Sequence, residues 1–232
     1  MTGAWQVRSI WFWLSIAVVV ILAVFLLYPL VNVLASSFGG ARADGRSGWQ
    51  VLLVEPRYLK AVANTVTLGL IVTLTCTLVG VPLAYIAARH SFPGKVLIAI
   101  LPLTTLIVPE VIAAQTWLMM LGNNGLLTRT LAGWGIALPS FYGWFGLITV
   151  MTFIYYTYVY IGTLAAIRGF DVQLEEAARS LGTSPARSRW QVMVPVVLPS
   201  ILASALLVFT LVVSNFAVAT ILRHKVDLLS VI

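Results

Sequence analysis

Apolar residues occupy most of the chain in five long runs, and polar segments separate these runs from one another. A helix needs about 20 predominantly apolar residues to cross the hydrocarbon core of a membrane, and each run is long enough. None shows the short alternating segments of barrel strands. Since a membrane offers no water to the backbone, such runs are predicted to be helices. The predicted spans cover residues 11–34, 62–87, 96–121, 141–167 and 197–222.

Shorter features are predicted between and within these spans. Residues 58–64 are expected to form a short amphipathic helix before the second span, and residues 126–140 a loop with one short helix. Pro102 and Pro109 are expected to interrupt the third span, because proline lacks the amide hydrogen that a helix needs. The predicted fold class is an all-α integral membrane bundle.

The composition supports this fold class. The 232 residues are 60% hydrophobic and only 9% charged, whereas soluble chains average about 25% charged residues. The net charge of +7 comes from basic residues scattered between the spans, which favours loops beside membrane lipid and not a nucleic-acid partner. The single cysteine, Cys76, lies inside an apolar run, which excludes an internal disulfide and a multi-cysteine metal site.

One long polar segment, residues 168–196, separates the fourth span from the fifth. It is expected to lie in water, because unpaired charges are costly in hydrocarbon. Asp171 can cap a short helix, and Gly182 suits the left-handed conformation that ends one. Ser184 can then cap a second helix that has Pro185 in its first turn.

The spacing within this segment resembles the EAA motif of ABC importer permeases. The letters E-A-A at residues 176–178 are followed by three residues, Gly182, nine residues and then V-M-V-P, where the family has I, any residue, L and P. The stretches NTVTLGL and PLTTLIVPEVIAAQTWLMMLGNNGLL are most similar to members that import 2-aminoethylphosphonate or iron(III). Pro195, which ends the motif, and Pro199 are also expected to break or bend the chain.

The resemblance implies a type I ABC importer permease fold, with five spans present and a sixth expected to be missing. Residues 1–57 would form an N-terminal span and periplasmic loop. Residues 58–232 would form the transmembrane domain, incomplete at its C-terminus, with residues 168–196 as its cytoplasmic coupling loop. The basic residues divide seven against seven between the two sides, so the orientation rests on the resemblance and not on charge.

The resemblance also implies partners and a place in the bacterial inner membrane. A separate ABC ATPase subunit would carry ATP and magnesium, because this chain has no G-x-x-x-x-G-K-[ST] motif. A second permease half, identical or different, would complete the pathway, and a periplasmic binding protein would deliver the substrate. No enzyme activity, catalytic residue, metal or cofactor is expected in this chain. The implied ATPase contacts are Glu176, Ala177, Ala178, Arg179, Leu181, Gly182 and Pro195.

Glu110 is the single acidic residue inside a predicted span. Acidic groups at this depth are costly and tend to face a bundle interior or water. Glu110, Asn215 and Tyr155 are therefore candidates for the substrate pathway, although hydrogen bonding between helices is the plainer interpretation of the same side chains. The alternative function is a secondary transporter or channel that uses Glu110, which would require further coupling residues or broken-helix repeats.

Overall fold

A computed structural model describes residues 10–39, 48–223 and 226–231, and every regular element in these ranges is helical. Four of the described helices are long and apolar enough to cross a membrane, which confirms the all-α membrane class. Residues 1–9 and 40–47 of the predicted N-terminal region lie outside the described residues. The helices are α1 Ile10–Gly39, α2 Gly48–Val54, α3 Pro56–Arg89, α4 Lys95–Thr104, α5 Glu110–Leu121, α6 Leu126–Gly133, α7 Trp144–Arg168, α8 Val172–Ser180, α9 Pro185–Ser188, α10 Val194–Val213 and α11 Ala217–Leu222.

The chain divides into two compact units, residues 1–59 and residues 60–232. In the first unit, the ring of Phe38 at the end of α1 lies 6.0 Å from the ring of Trp49 in α2. The side chains of α1 are exposed along nearly its whole length. This helix is long and apolar enough to cross a membrane.

The second unit is built around α7, which contributes more buried residues than any other described helix. Its inner face packs against buried side chains of α3 and α10, including Val72 and Val208. Gly80 lets α3 approach α7 closely, because a Cβ atom at that position would lie 2.9 Å from the carbonyl oxygen of Tyr156. Small residues allow such close approach between membrane helices.

The third predicted span is two helices and not one. α4 ends at Thr104, residues 105–109 are not helical, and α5 begins at Glu110 directly after Pro109. The prolines therefore interrupt this span as predicted, but the result is a complete break into helices of 10 and 12 residues. The hydroxyl of Thr157 in α7 donates to the carbonyl of Pro102 at 2.7 Å, so α7 supports the chain close to the break.

The fifth predicted span also differs from the prediction. The chain breaks at residues 214–216, between α10 and α11, where the sequence analysis expected one helix. The chain was expected to break or bend at Pro195 and Pro199, and it does not break at either: Pro195 lies in the first turn of α10, where an amide hydrogen is not needed, and α10 continues through Pro199. The irregular backbone precedes α10 instead, as a π-helix at Arg189–Met193.

Two shorter predictions have opposite outcomes. The prediction of a separate amphipathic helix at residues 58–64 is wrong, because α3 runs without interruption from Pro56 to Arg89. Proline is well suited to a first helical position, so the helix starts earlier than its apolar run. The short helix expected between residues 126 and 140 is confirmed as α6.

Candidate functional site

Residues 168–196, which are predicted to be a coupling loop and are called the coupling loop below, have the predicted local structure. The Asp171 side chain accepts a hydrogen bond from the amide of Gln173 at 2.9 Å and caps α8. Gly182 ends this helical stretch with a φ of +87°, in the left-handed region that favours glycine. Ser184 then accepts from the amide of Arg187 at 3.3 Å and caps α9. The two short helices are therefore set by local hydrogen bonds.

The coupling loop presents most of the predicted ATPase contacts to solvent. α8 has no buried residue, and Leu181, directly after it, is 87% exposed. Ala178 is half-buried, and Pro195 lies at the start of α10 and not on α8. The exposed members of the predicted set are Glu176, Ala177, Arg179, Leu181, Gly182 and Pro195.

Sequence reasoning missed the residues that hold this loop in place. Glu175, next to the motif glutamate, forms an ion pair with Arg89 at the end of α3, with a distance of 2.8 Å between Nη2 and Oε2. The Arg89 guanidinium also lies 5.6 Å from the centre of the Phe170 ring. The sequence offered only a weak signal for the role of Arg89. A basic residue in the last turn of a helix is common, because it complements the helix dipole.

A small apolar cluster joins the coupling loop to the ends of the membrane helices. Ile167, Phe170, Met193 and Val197 are buried together and pack against Tyr85 of α3. Beside this cluster is a hollow of about 420 Å³. Its lining includes Pro82, Tyr85, Thr163, Ile167, Trp190 and Met193. The π-helix therefore borders open apolar space on one side.

The three candidate pathway residues meet in one polar cluster, formed by Glu110, Tyr155 and Asn215. The Tyr155 hydroxyl donates to Oε1 of Glu110 at 2.8 Å, and Nδ2 of Asn215 donates to Oε2 at 2.6 Å. Nδ2 of Asn215 also lies 2.7 Å from the Tyr155 hydroxyl oxygen. Each carboxylate oxygen of Glu110 thus accepts a hydrogen bond from another side chain of the same protein.

Asn215 connects this cluster to the break between α10 and α11. Its side-chain oxygen accepts from the amides of Val218 at 2.9 Å and Ala219 at 3.4 Å, which satisfies two amides in the first turn of α11. Its backbone carbonyl accepts from the hydroxyl of Ser230 at 2.8 Å. The cluster therefore joins α5, α7, α11 and the segment of residues 226–231.

The donor set of the described residues does not suggest a metal site. Within residues 10–39, 48–223 and 226–231, no three His, Cys, Asp or Glu side chains lie close enough together to hold a metal ion. Cys76 is buried in α3, with its sulfur 3.7 Å from the carbonyl oxygen of Thr152. This geometry is that of a small packing residue.

Comparison with known proteins gives a family match for most of the second unit. Residues 80–228, well over half of the chain, match the family described as the binding-protein-dependent transport system inner membrane component. The chain belongs to this family. The family name describes a membrane subunit of a transport system and not an enzyme, and it agrees with the apolar helices in placing the chain in the inner membrane as a multi-pass protein.

Curated relatives agree with this family. The chain is 30% identical over 97% of its length to y4fN of Sinorhizobium fredii, named as a probable ABC transporter permease. It is 31% identical over 72% of its length to a probable molybdenum ABC transporter permease of Haloferax volcanii. It is 27% identical over 92% of its length to PhnU of Salmonella typhimurium, named as a candidate 2-aminoethylphosphonate transport permease. The chain spans 40%, 60% and 76% of these relatives, respectively.

A solved structure shares the fold. The chain superposes on a subunit of a bacterial alginate ABC transporter, in complex with its alginate-bound periplasmic protein, with a TM-score of 0.72. The superposition covers 97% of this chain and 81% of that subunit at 17% identity. At this identity the likeness shows the fold alone, and it confirms the ABC importer type of helical bundle.

Proposed function

We propose that this chain is a permease subunit of an ATP-driven ABC importer and couples to a separate ATPase through residues 168–196. The observation that carries the proposal is that α8 exposes Glu176 and Ala177 of the E-A-A motif and is followed by the left-handed Gly182. In this function the membrane helices of the second unit form half of a substrate pathway. A second permease half, identical or different, forms the rest.

The surface chemistry of the coupling loop suits a groove on a partner protein. Ala177 is small and exposed, and Leu181 offers an apolar side chain that is 87% exposed. An exposed apolar side chain gains most by burial in an interface, and Glu176 offers an anion to a basic residue of the partner. ATP and magnesium belong to that ATPase, and closure of the ATPase dimer moves the loop. This assignment puts the loop and the N-terminus in the cytoplasm.

The domain proposal follows from the same function. Residues 1–57 supply an N-terminal span and a periplasmic loop, and residues 58–232 supply the transport domain. A periplasmic binding protein delivers substrate from the outer side. The polar cluster of Glu110, Tyr155 and Asn215 is then the candidate part of the pathway that lies within the bundle.

We further propose a tetrahedral oxyanion as the substrate, with 2-aminoethylphosphonate as the first candidate. Support comes from relatives named for 2-aminoethylphosphonate and for molybdenum, since phosphonate and molybdate are both oxyanions of tetrahedral shape. Neither name points to iron, so iron(III) is not carried forward. We expect reconstituted transporter to take up 2-aminoethylphosphonate. Uptake measured with excess molybdate present tests whether the two anions compete. Uptake of iron(III) in its place would contradict the oxyanion proposal.

Two substitutions in the coupling loop test the coupling proposal directly. We expect Glu176→Lys and Gly182→Asp to weaken binding of the ATPase subunit in detergent by at least about 30-fold, or about 2 kcal/mol. The first reverses a charge that faces the partner, and the second places a carboxylate at the exposed turn. Co-purification over a range of ATPase concentrations measures the effect.

The chain offers a matched control for each variant. Gly94 has a φ of +85° and open space around it, as Gly182 has, so Gly94→Asp imposes the same backbone strain in a different loop. Glu55→Lys makes the same charge reversal outside the coupling loop. Equal loss of ATPase in variants and controls would contradict a specific docking site. A wild-type chain that binds no ATPase would reject the importer proposal itself.

A further inference from the structure

We propose that Arg89 is a positioning residue that ties the coupling helix α8 to the membrane helix α3, so that movement of the ATPase reaches α3 directly. The proposal rests on the coupling function proposed above. It adds a residue that lies outside the E-A-A motif and 86 residues before its partner Glu175 in the chain.

The first argument is that one side chain gathers three parts of the coupling loop. Arg89 pairs with Glu175 of α8 at 2.8 Å, and it lies over the ring of Phe170, which precedes α8. Its Nη2 atom is also 3.3 Å from the sulfur of Met193, at the end of the π-helix. The guanidinium, at the last turn of α3, therefore contacts the segment before α8, α8 itself and the end of the π-helix.

The second argument is that α8 has few other anchors. It contributes no buried side chain to an apolar core. Apart from its chain connections at both ends, α8 is contacted by Ser188. The Ser188 hydroxyl donates to the carbonyl oxygen of Glu175 over a long distance of 3.4 Å. The Arg89 and Glu175 side chains are only 23% and 12% exposed, and partly buried ion pairs are screened less by salt than surface pairs.

The third argument concerns the continuity of α3. It runs for 34 residues without a break, about 50 Å at the usual helical rise, whereas the third and fifth predicted spans break at residues 105–109 and 214–216. A displacement applied at Arg89 is therefore carried by one continuous helix, which contains Pro82 in its interior. A second bond reinforces this end, because Nη1 of Arg189 in the coupling loop donates to the Tyr85 hydroxyl at 2.9 Å.

The opposite end of α3 is bonded to the segment that holds the polar cluster. The Thr65 hydroxyl oxygen accepts from the amide of Leu229 at 2.9 Å, and Asn64 donates to the carbonyl of Asp227 at 3.0 Å. Ser230 of that segment donates to the carbonyl of Asn215. A continuous set of contacts thus leads from the coupling loop through α3 to Glu110.

The test measures movement without requiring a known substrate. An environment-sensitive fluorophore is attached at Lys60→Cys, an exposed position near the start of α3, in a Cys76→Ala background. The labelled chain is reconstituted with its ATPase, and fluorescence is compared with and without a non-hydrolysable ATP analogue and magnesium. We expect Arg89→Gln to reduce the nucleotide-driven change at least about 5-fold, while ATPase binding stays within about 2-fold of the unsubstituted protein.

Two further variants separate positioning from a general structural role. The exchange Arg89→Glu with Glu175→Arg is expected to restore at least half of the fluorescence change, because the ion pair is rebuilt in reverse. Lys95→Gln removes the same charge from the start of α4, where Lys95 makes no ion pair with a described residue, and is expected to have no effect.

The outcomes distinguish this inference from the function on which it rests. A full nucleotide response in Arg89→Gln with ATPase bound would overturn the inference and leave the importer function intact. The inference also fails if the unsubstituted complex gives no response at Lys60→Cys, if Arg89→Gln loses its ATPase, or if the exchange does not restore the response. Failure of the unsubstituted chain to bind any ATPase would instead reject the proposed function.

Discussion

Gly80→Leu is expected to destabilise the bundle by about 3 kcal/mol, because it forces α3 away from α7. A Cβ atom at Gly80 would lie 2.9 Å from the carbonyl oxygen of Tyr156 and 3.0 Å from the amide nitrogen of Tyr160. Both are backbone atoms in the middle of α7, so they cannot rotate aside as a side chain would. The helices must separate instead and lose contacts along their shared face.

Denaturant unfolding of the purified chain in detergent measures this effect. Gly133→Leu is the matched control, because Gly133 ends α6 and a Cβ atom at that position would point into open space. We expect the control to retain the unfolding midpoint of the unsubstituted chain. Equal stability of Gly80→Leu and Gly133→Leu would show that α3 and α7 are not packed as closely as the structure indicates.

Asn215→Leu is expected to cost about 3 kcal/mol of stability and to abolish transport. About 1 kcal/mol of this loss comes from the missing cap of α11. The remainder comes from the missing hydrogen-bond donor to Glu110 and Tyr155 in a partly buried site. This estimate exceeds the average of about 0.6 kcal/mol for a single hydrogen bond between membrane helices, because Asn215 serves both the cluster and the helix start. Unfolding in detergent and uptake in vesicles are the two measurements.

A paired substitution separates the two tasks of Asn215. Asn215→Asp keeps the oxygen that caps α11 but loses the donor to Glu110, so we expect loss of both stability and uptake. Adding Glu110→Gln supplies a donor again and is expected to recover most of the stability. Thr220→Val is the control, since that hydroxyl is exposed and bonds to the carbonyl of Phe216, four residues earlier in the chain and outside the cluster.

The same variants distinguish a structural tie from a direct pathway role. If the cluster holds the helices together, stability and uptake fall together and recover together in the paired variant. If Glu110 contacts the substrate, Glu110→Gln alone abolishes uptake and leaves the unfolding midpoint unchanged. Each carboxylate oxygen of Glu110 already accepts a hydrogen bond within the chain, so we expect the first result.

The class of fold and the local form of the coupling loop could both be predicted from the amino-acid pattern. Long apolar runs allow only helices in a membrane, because the backbone must satisfy its own hydrogen bonds. The caps at Asp171 and Ser184 and the left-handed Gly182 were predictable for a similar reason. Each depends on side chains and backbone atoms within a few residues of one another.

Tertiary structure alone decided which polar residues meet. Glu110 and Asn215 are 105 residues apart, and Arg89 and Glu175 are 86 residues apart, so no local pattern could pair them. The same holds for the break at residues 214–216, which contains no proline and is stabilised by Asn215 and by Ser230 from the following segment. Apolar periodicity shows that a helix is buried but not which neighbour faces it, and these pairings depend on how the helices pack.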